Sequence, residues 1–339
     1  MPKTKDSARG YVTIKEIAEK AGVSVNSVSR ALNDKSDIGE KTKAHIKKIA
    51  EELGYIRHIA ASGLRSGGTK SIGVIVTHID NAFFSRILQG INDCVAEKGY
   101  TILILSSNED VEVEARDIRL LMAYRVSGII IAPAYDLKNK IDYGSLQAPY
   151  IEIVRHIPRS TSGYYISDSR RSGELAAERL VAIGRRRCAY LGFEKPVSCN
   201  RDRMNGFTQR LRREGISFGS RSIRTCEATT EAAFKAMAQW IEDGFDFDGL
   251  FVYNDVMAFG AIRALVDAGL KVPRDVSVVG HDDIETAQSF IPRLTTIQVP
   301  KYRLGFDSAS SLLSSLEPNT ENSLSKHVIY EPELIVRET

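Results

Sequence analysis

Four cysteines in 339 residues, Cys94, Cys188, Cys199 and Cys226, are too few and too scattered for a disulfide-dense secreted domain. No C-x-x-C pair occurs, so the spacing used by structural zinc sites is missing as well. No apolar run approaches the roughly 20 residues of a membrane span. The start, Met1-Pro2-Lys3-Thr4-Lys5-Asp6, is positively charged with no apolar stretch behind it, which is not the pattern of an export signal. There is no Walker phosphate loop and no H-E-x-x-H. No metal or cofactor is expected. Formal charge is only +3, so neither sign dominates the whole chain.

What is present is unevenly distributed. Residues 1–70 hold 14 lysines and arginines against 8 carboxylates, and the rest hold 32 against 35. A basic head on a mildly acidic body suits phosphate contact at one end. In that head, Thr13 and Glu16 have capping-box spacing, and Ile14, Ile17, Ala18 and Ala21 make one apolar helix face. Gly22 permits a tight turn, and Ser24 is suited to N-cap a second short helix with Val28, Ala31 and Leu32 inward. Asn26 and Arg30 fall one turn apart on another face, with Val25 beside them. Major-groove readout uses those residue types: Asn pairs with adenine, and Arg bonds two acceptors on guanine. An ordinary helical hairpin with a polar outside is the alternative for the bare motif. A third amphipathic helix is predicted over residues 40–53, stopped by Gly54.

From Ser71 onward, short apolar runs alternate with helical patterns at βαβ spacing. Strands are predicted at 72–76, 101–105, 128–132 and 150–154, then at 188–191, 250–253 and 276–279. Helices are predicted near 84–98, 112–124, 172–183, 204–214, 231–243 and 256–268. This alternation gives an α/β class with parallel sheets covered on both faces, arranged as two Rossmann-like subdomains. Ligands of such sheets bind outside the carboxyl ends of the strands, so a cleft is expected there.

The head, the stretch His58-Ile59-Ala60-Ala61-Ser62-Gly63-Leu64-Arg65-Ser66 and the first strand Ser71-Ile72-Gly73-Val74-Ile75-Val76 together resemble the LacI/GalR family of transcriptional regulators, and the resemblance covers nearly the whole chain. It implies an all-α helix-turn-helix head at 1–57, a hinge helix and linker at 58–70, and a periplasmic-binding-protein-like body at 71–339. The body would interleave 71–167 and 299–325 with 168–298 and 326–339, crossing near Asp168, Gln298 and Lys326. Arg203-Met204-Asn205-Gly206-Phe207 resembles the family's R-x-x-G-F element, and Tyr253-Asn254-Asp255-Val256-Met257-Ala258-Phe259-Gly260 its N-D-x-x-A-x-G element. Gly280-His281-Asp282-Asp283 stands where the family usually has G-[FY]-D-D, and Asp80-Asn81-Ala82-Phe83-Phe84 resembles N-P-F-F. The resemblance therefore assigns Arg203, Asn254 and Asp282, with Asp80, Phe83 and Phe84, to a small-molecule effector. A sugar is the default of the family, and nucleobases occur. One of Phe83 and Phe84 is expected at the cleft and the other in the core. Asp255 and Asp283 either contact ligand or cap the following backbone. Many relatives carry Asp where Val154 stands; Glu152 either supplies that polar contact or is an exposed strand-end residue.

The expected protein is a homodimeric repressor in a bacterial cytoplasm, gripping a near-palindromic operator in double-stranded DNA under effector control. Val25, Asn26 and Arg30 would read bases, and Thr13, Ser24, Ser27 and Ser29 complete the head's expected contacts. In the family the segment 59–64 folds on DNA and drives a leucine into the minor groove, which assigns Ala61 and Leu64 here. Arg57 and Ser62 depart from the usual Pro and Arg. No leucine heptad follows Arg337, so a dimer is expected rather than a tetramer. A solute-binding protein of the same body fold is the rival; the basic head and the lack of an export signal count against it. A sugar-modifying enzyme would need a nucleophile or base arrangement that the sequence does not show, so no enzyme is expected.

Overall fold

In the computed structural model, Thr13 N–H donates to Glu16 Oε2 at 2.6 Å and Glu16 N–H to Thr13 Oγ1 at 3.4 Å, closing the capping box that starts α1, Ile14–Ala21. Gly22, at φ 62°, ends that helix in the left-handed region. Ser24 Oγ accepts from Ser27 N–H at 3.0 Å and starts α2, Val25–Leu32. With α3, Glu40–Glu52, these helices bury Ile17, Val28, Ala31, Ile46, Ile49 and Ala50 in one small core. Burying each large aliphatic residue there is worth about 1.5–3 kcal/mol.

The structure describes residues 12–55, 69–135, 140–157, 160, 162–244, 246–317 and 323–339. Contacts divide the chain into two units, Met1–Gly67 and Gly68–Thr339. Ala61 and Leu64, the departures Arg57 and Ser62, and most of the expected hinge lie outside the described residues.

Among the described residues the second unit contains two six-stranded sheets. The first has the order β11-β5-β4-β3-β1-β2, all parallel: β1 Ser71–Val76, β2 Thr101–Ser106, β3 Gly128–Ile131, β4 Tyr150–Ile153, β5 Tyr164–Ser167 and β11 His327–Tyr330. The second has the order β12-β10-β9-β8-β6-β7: β6 Cys188–Phe193, β7 Ile223–Cys226, β8 Gly249–Val252, β9 Ser277–Asp282, β10 Thr295–Gln298 and β12 Glu333–Ile335. Its pairs are parallel except the edge pair β10–β12. Both sheets reverse their strand order beside their first strand, at β1 in one and β6 in the other. That switch point is where doubly wound sheets open a crevice.

Helices cover both faces of these sheets: α4 Ala82–Glu97, α5 Val111–Ala123, α6 Ser169–Ala182, α7 Ser198–Arg213, α8 Thr230–Glu242, α9 Asp255–Asp267, the short α10 Thr286–Ser289, and α11 Lys301–Ser315. The chain passes from the first sheet to α6 at Asp168, returns between β10 and α11, and passes again between β11 and β12. The third passage therefore lies at residues 331–332 and not near Lys326 as expected, because residues 327–330 still pair with β5 of the first sheet. Among the described residues no helix is long and apolar enough to cross a membrane.

Glycines set the closest helix contacts. A Cβ on Gly206 of α7 would lie 1.9 Å from the Arg170 carbonyl oxygen of α6, and one on Gly173 of α6 would lie 2.0 Å from that of Arg203. Gly206→Ala should therefore force these helices apart and cost about 1–3 kcal/mol. Urea unfolding of the variant checks this, with an unchanged midpoint as the contrary result.

Candidate functional site

On the head, α2 presents Val25, Asn26 and Arg30 to solvent, while Ser27 and Ser29 are half-buried at its flank. Ser24 and Ser27 hydroxyls lie 2.9 Å apart at the helix start. Arg30 forms an ion pair with Asp37, in the turn that follows α2. Both side chains are about half exposed, so the pair is weak and a stronger acceptor can displace Asp37. Thr13 is exposed at the start of α1, with its hydroxyl also 3.0 Å from Glu16 Oε2.

In the second unit, a cavity of about 250 Å³ lies where strand ends of the two sheets meet. Of the six residues expected to face an effector, all line it: Asp80, Phe83 and Phe84 from the loop and helix after β1, Arg203 from α7, Asn254 from the end of β8, and Asp282 from the end of β9. Phe83 and Phe84 meet edge to face at 5.2 Å, and both border the cavity while buried. The expected division into one cleft residue and one core residue does not hold. Alternation of faces applies to strands, whereas these two residues open a helix whose first turn forms the wall.

Arg203 is buried, lies 4.8 Å above the Tyr253 ring, and donates from Nη1 to the Tyr253 carbonyl. Its Nε has no partner among the described residues. Asn254 caps α9, accepting from Met257 N–H at 2.9 Å through Oδ1, which leaves its amide nitrogen for another acceptor. Asp282 sits at φ 115°, a left-handed backbone that few non-glycine residues adopt. Its Oδ1 is 2.8 Å from His281 Nδ1. The cavity thus combines donors, acceptors and aromatic faces at short range.

Neither Asp255 nor Asp283 lines the cavity or caps the backbone that follows it. Asp255 accepts from Thr296 Oγ1 at 2.6 Å and from the distant Ile284 N–H at 3.0 Å. Burial, reinforced by the nearby Asp282 charge, pushes its carboxyl well above the usual carboxylate range. Asp283 pairs with Arg337 at 2.6 Å and accepts from Gln298 Nε2 at 3.0 Å. Both acids brace the strand ends behind the cavity.

The cavity lining also holds a pair that sequence reasoning missed. Arg155 makes a two-pronged ion pair with Glu109, at 3.0 and 2.6 Å, with both side chains buried. Glu109 and Val154 hold positive φ values of 57° and 68°. A β-branched residue there is a true backbone outlier. Lys195, from beyond β6, donates to the Glu109 carbonyl at 2.7 Å, so this corner also joins the two sheets' loops. Glu109 stood in an unassigned loop after β2, and only its strand-end position could have marked it.

Glu152 is neither exposed nor at the cavity. It is fully buried, accepts from Ile157 N–H at 2.6 Å through Oε2, and leaves Oε1 without a partner among the described residues. A G-x-S-x-G spacing at Gly215-Ile216-Ser217-Phe218-Gly219 places an exposed serine between α7 and β7. A nucleophile elbow needs the opposite order, strand before helix. Among the described residues no cluster of His, Cys, Asp and Glu has metal-site geometry.

Comparison with known proteins follows this geometry. The sequence pattern of bacterial regulatory proteins of the lacI family matches residues 13–58, and that of periplasmic binding proteins and the sugar binding domain of the LacI family matches 69–332. The chain is 32% identical to the HTH-type transcriptional repressor PurR of Vibrio vulnificus (strain CMCP6), over 96% of this chain and 98% of that protein. It is 29% identical to the HTH-type transcriptional regulator MalR of Clostridium butyricum, over 97% and 99%. A solved lac repressor dimer, bound to operator and the anti-inducer ONPF, matches with a TM-score of 0.86 at 28% identity, over 97% of this chain and 99% of that one.

The buried Glu152 has a measurable consequence. Burial raises its carboxyl from 4.5 to about 7. A raised carboxyl stabilises the fold fully below about pH 4.5, and that contribution disappears as pH rises through about 7. Glu152→Gln should remove this part of the pH dependence, seen as a flatter urea midpoint across that window. A slope equal to that of the unaltered protein contradicts it.

Proposed function

Because the chain belongs to the LacI family of bacterial regulatory proteins, and is a DNA-binding transcriptional repressor, we propose that a small carbohydrate in the cavity controls its grip on a near-palindromic operator. It acts as a homodimer in the bacterial cytoplasm, one head per half-site. In each head α2 enters the major groove, with Val25, Asn26 and Arg30 on base edges and Arg30 exchanging Asp37 for guanine. Thr13, Ser24, Ser27 and Ser29 lie around that surface, and helix-start amides hold phosphates. Ala61 and Leu64 belong to the minor-groove contact of the hinge.

In the cavity, Arg203, the Asn254 amide and Asp282 bond to hydroxyls, with Asp80 at the rim, and the rings of Phe83 and Phe84 cover an apolar ligand face. The observation that carries the effector reading is the convergence of Arg203, Asn254 and Asp282 on one cavity with two aromatic side chains. Its volume, about 250 Å³, lies just below the roughly 300–1,000 Å³ of most ligand clefts and suits a single ring. Glu109 already neutralises Arg155, and Asp282 lies near Arg203, which has no ion-pair partner among the described residues, so an uncharged polyol fits better than an anion.

Two experiments test this reading. Arg30→Ala should cost about 1–3 kcal/mol on the preferred operator and relax one base position per half-site, measured by competition across substituted duplexes. Uniform weakening on every sequence would make Arg30 a phosphate contact. In a thermal-shift screen of monosaccharides and nucleobases, a monosaccharide at about 100 times its Kd should stabilise the protein by about 2.7 kcal/mol, and Arg203→Ala should abolish the shift. A shift given only by nucleobases, or one that survives Arg203→Ala, contradicts the carbohydrate reading.

A further inference from the structure

The end of β9 reads Gly280-His281-Asp282-Asp283 and places an imidazole beside the Asp282 carboxyl. His281 is fully buried and both its nitrogens are engaged. Nδ1 lies 2.8 Å from Asp282 Oδ1, and Nε2 lies 3.2 Å from Ser172 Oγ, in the first turn of α6. Ser172 Oγ is also 3.0 Å from the Asp168 carbonyl oxygen. Asp168 marks the first passage between the sheets, and its N–H donates to the Tyr330 carbonyl at 2.9 Å, where the third passage begins. From the second passage, Lys301 Nζ donates to the carbonyl of Asp282 and, at 3.0 Å, to that of Asp283. The second connection therefore bonds directly to the strand end that carries Asp282, the first reaches it through Ser172 and His281, and the third is bonded to the first at Asp168.

The groups that face the ring fix its protonation. Burial, with the Arg203 and Lys301 charges, pushes it toward the neutral form, Asp282 pulls the other way, and the balance leaves it depressed to about 4. A neutral imidazole has one N–H, and a carboxylate at Nδ1 demands that the proton sit there. Nε2 is then an acceptor facing the Ser172 hydroxyl, whose single proton is shared between Nε2 and the Asp168 carbonyl. Oδ1 of Asp282 is thereby occupied, and Oδ2 is the oxygen left for a ligand. A phenylalanine at this position would fill the volume but make neither bond.

We propose that His281 is a positioning residue that holds the Asp282 carboxylate at the cavity and ties it, through Ser172, to the first connection between the sheets. The proposal rests on the reading of the cavity as the effector site. A ligand that pulls on Asp282 is then felt at the segment whose backbone angles set the orientation of the two halves. The ring holds a strained residue in place, since a left-handed aspartate persists only where its surroundings enforce it.

The test needs no effector. Nitrogen NMR of the labelled full chain should show one imidazole protonated on Nδ1 and unchanged between about pH 5 and pH 8. Ser172→Ala should shift its Nε2 signal and leave Nδ1 protonated. His281→Phe should speed amide exchange at residues 169–172 about tenfold, with the far end of α6 unchanged. A ring protonated on Nε2, a ring that titrates in that window, or unchanged exchange in His281→Phe overturns the proposal. If His281→Phe fails to fold, the spectra of the unaltered chain and of Ser172→Ala decide alone. A failed sugar screen would count against the effector reading and leave these readouts standing.

Discussion

The body depends on backbone packed against backbone. Gly173 and Gly206 let α6 and α7 touch through the carbonyls of Arg203 and Arg170, and Gly90 and Gly305 let α4 and α11 do the same through those of Tyr302 and Ile87. Gly260 repeats the contact between α9 and the Thr230 carbonyl of α8. In each pair one helix borders the cavity: α7 carries Arg203, α4 carries Phe83 and Phe84, and α9 starts at Asn254. The partners α6 and α11 are the helices entered directly after the first two passages between the sheets. Close contact without side chains leaves little room to slide, because interiors packed this densely change in steps. Cavity walls and connecting segments therefore move as joined pieces, which is what coupling a ligand to the orientation of the two halves requires.

Charge at and behind the cavity is handled by pairing. Arg155 is held by Glu109, and Asp283 by Arg337. Desolvation makes such pairs poor sources of net stability, but removing one partner leaves a costly buried charge. Their contribution is geometric: they fix where Val154, Glu109 and Asp282 sit despite unfavourable backbone angles. Arg203 differs in having no carboxylate in contact among the described residues, and its Nε, like that of Arg155, has no hydrogen-bond partner there. An incompletely satisfied buried guanidinium, beside Asp282 and the Asn254 amide, is the feature most in need of a ligand.

Much of this was readable from residues whose partners lie close in the chain. The capping box of Thr13 and Glu16, the Gly22 turn and the Ser24 cap are local chemistry, and they appear as spacing predicts. Strands with continuous apolar runs, such as β1, were equally plain. The strands β5, β7 and β11 were not, because each is only four residues long and none is a continuous buried apolar run. The same blindness moved the third passage by several residues. In β10, Thr295 and Thr296 look exposed by composition but are fully buried, satisfied by Thr339 and Asp255. Glu109, Glu152 and the Arg30–Asp37 pair depend on folding that brings their environments together, so residue type alone misplaced or missed them. The six cavity residues came from family resemblance, and periodicity would not have found Arg203.

The central claim is that one chain reads a duplex sequence and releases or tightens it when a small molecule fills the body. Selection from random duplexes with the full chain, followed by binding to the enriched sequence with and without monosaccharides, addresses it most directly. The account predicts enrichment of a near-palindrome with two half-sites, and an affinity for it that changes when a monosaccharide is added. Binding no tighter than to bulk competitor DNA, or tight binding that no sugar alters, would contradict it.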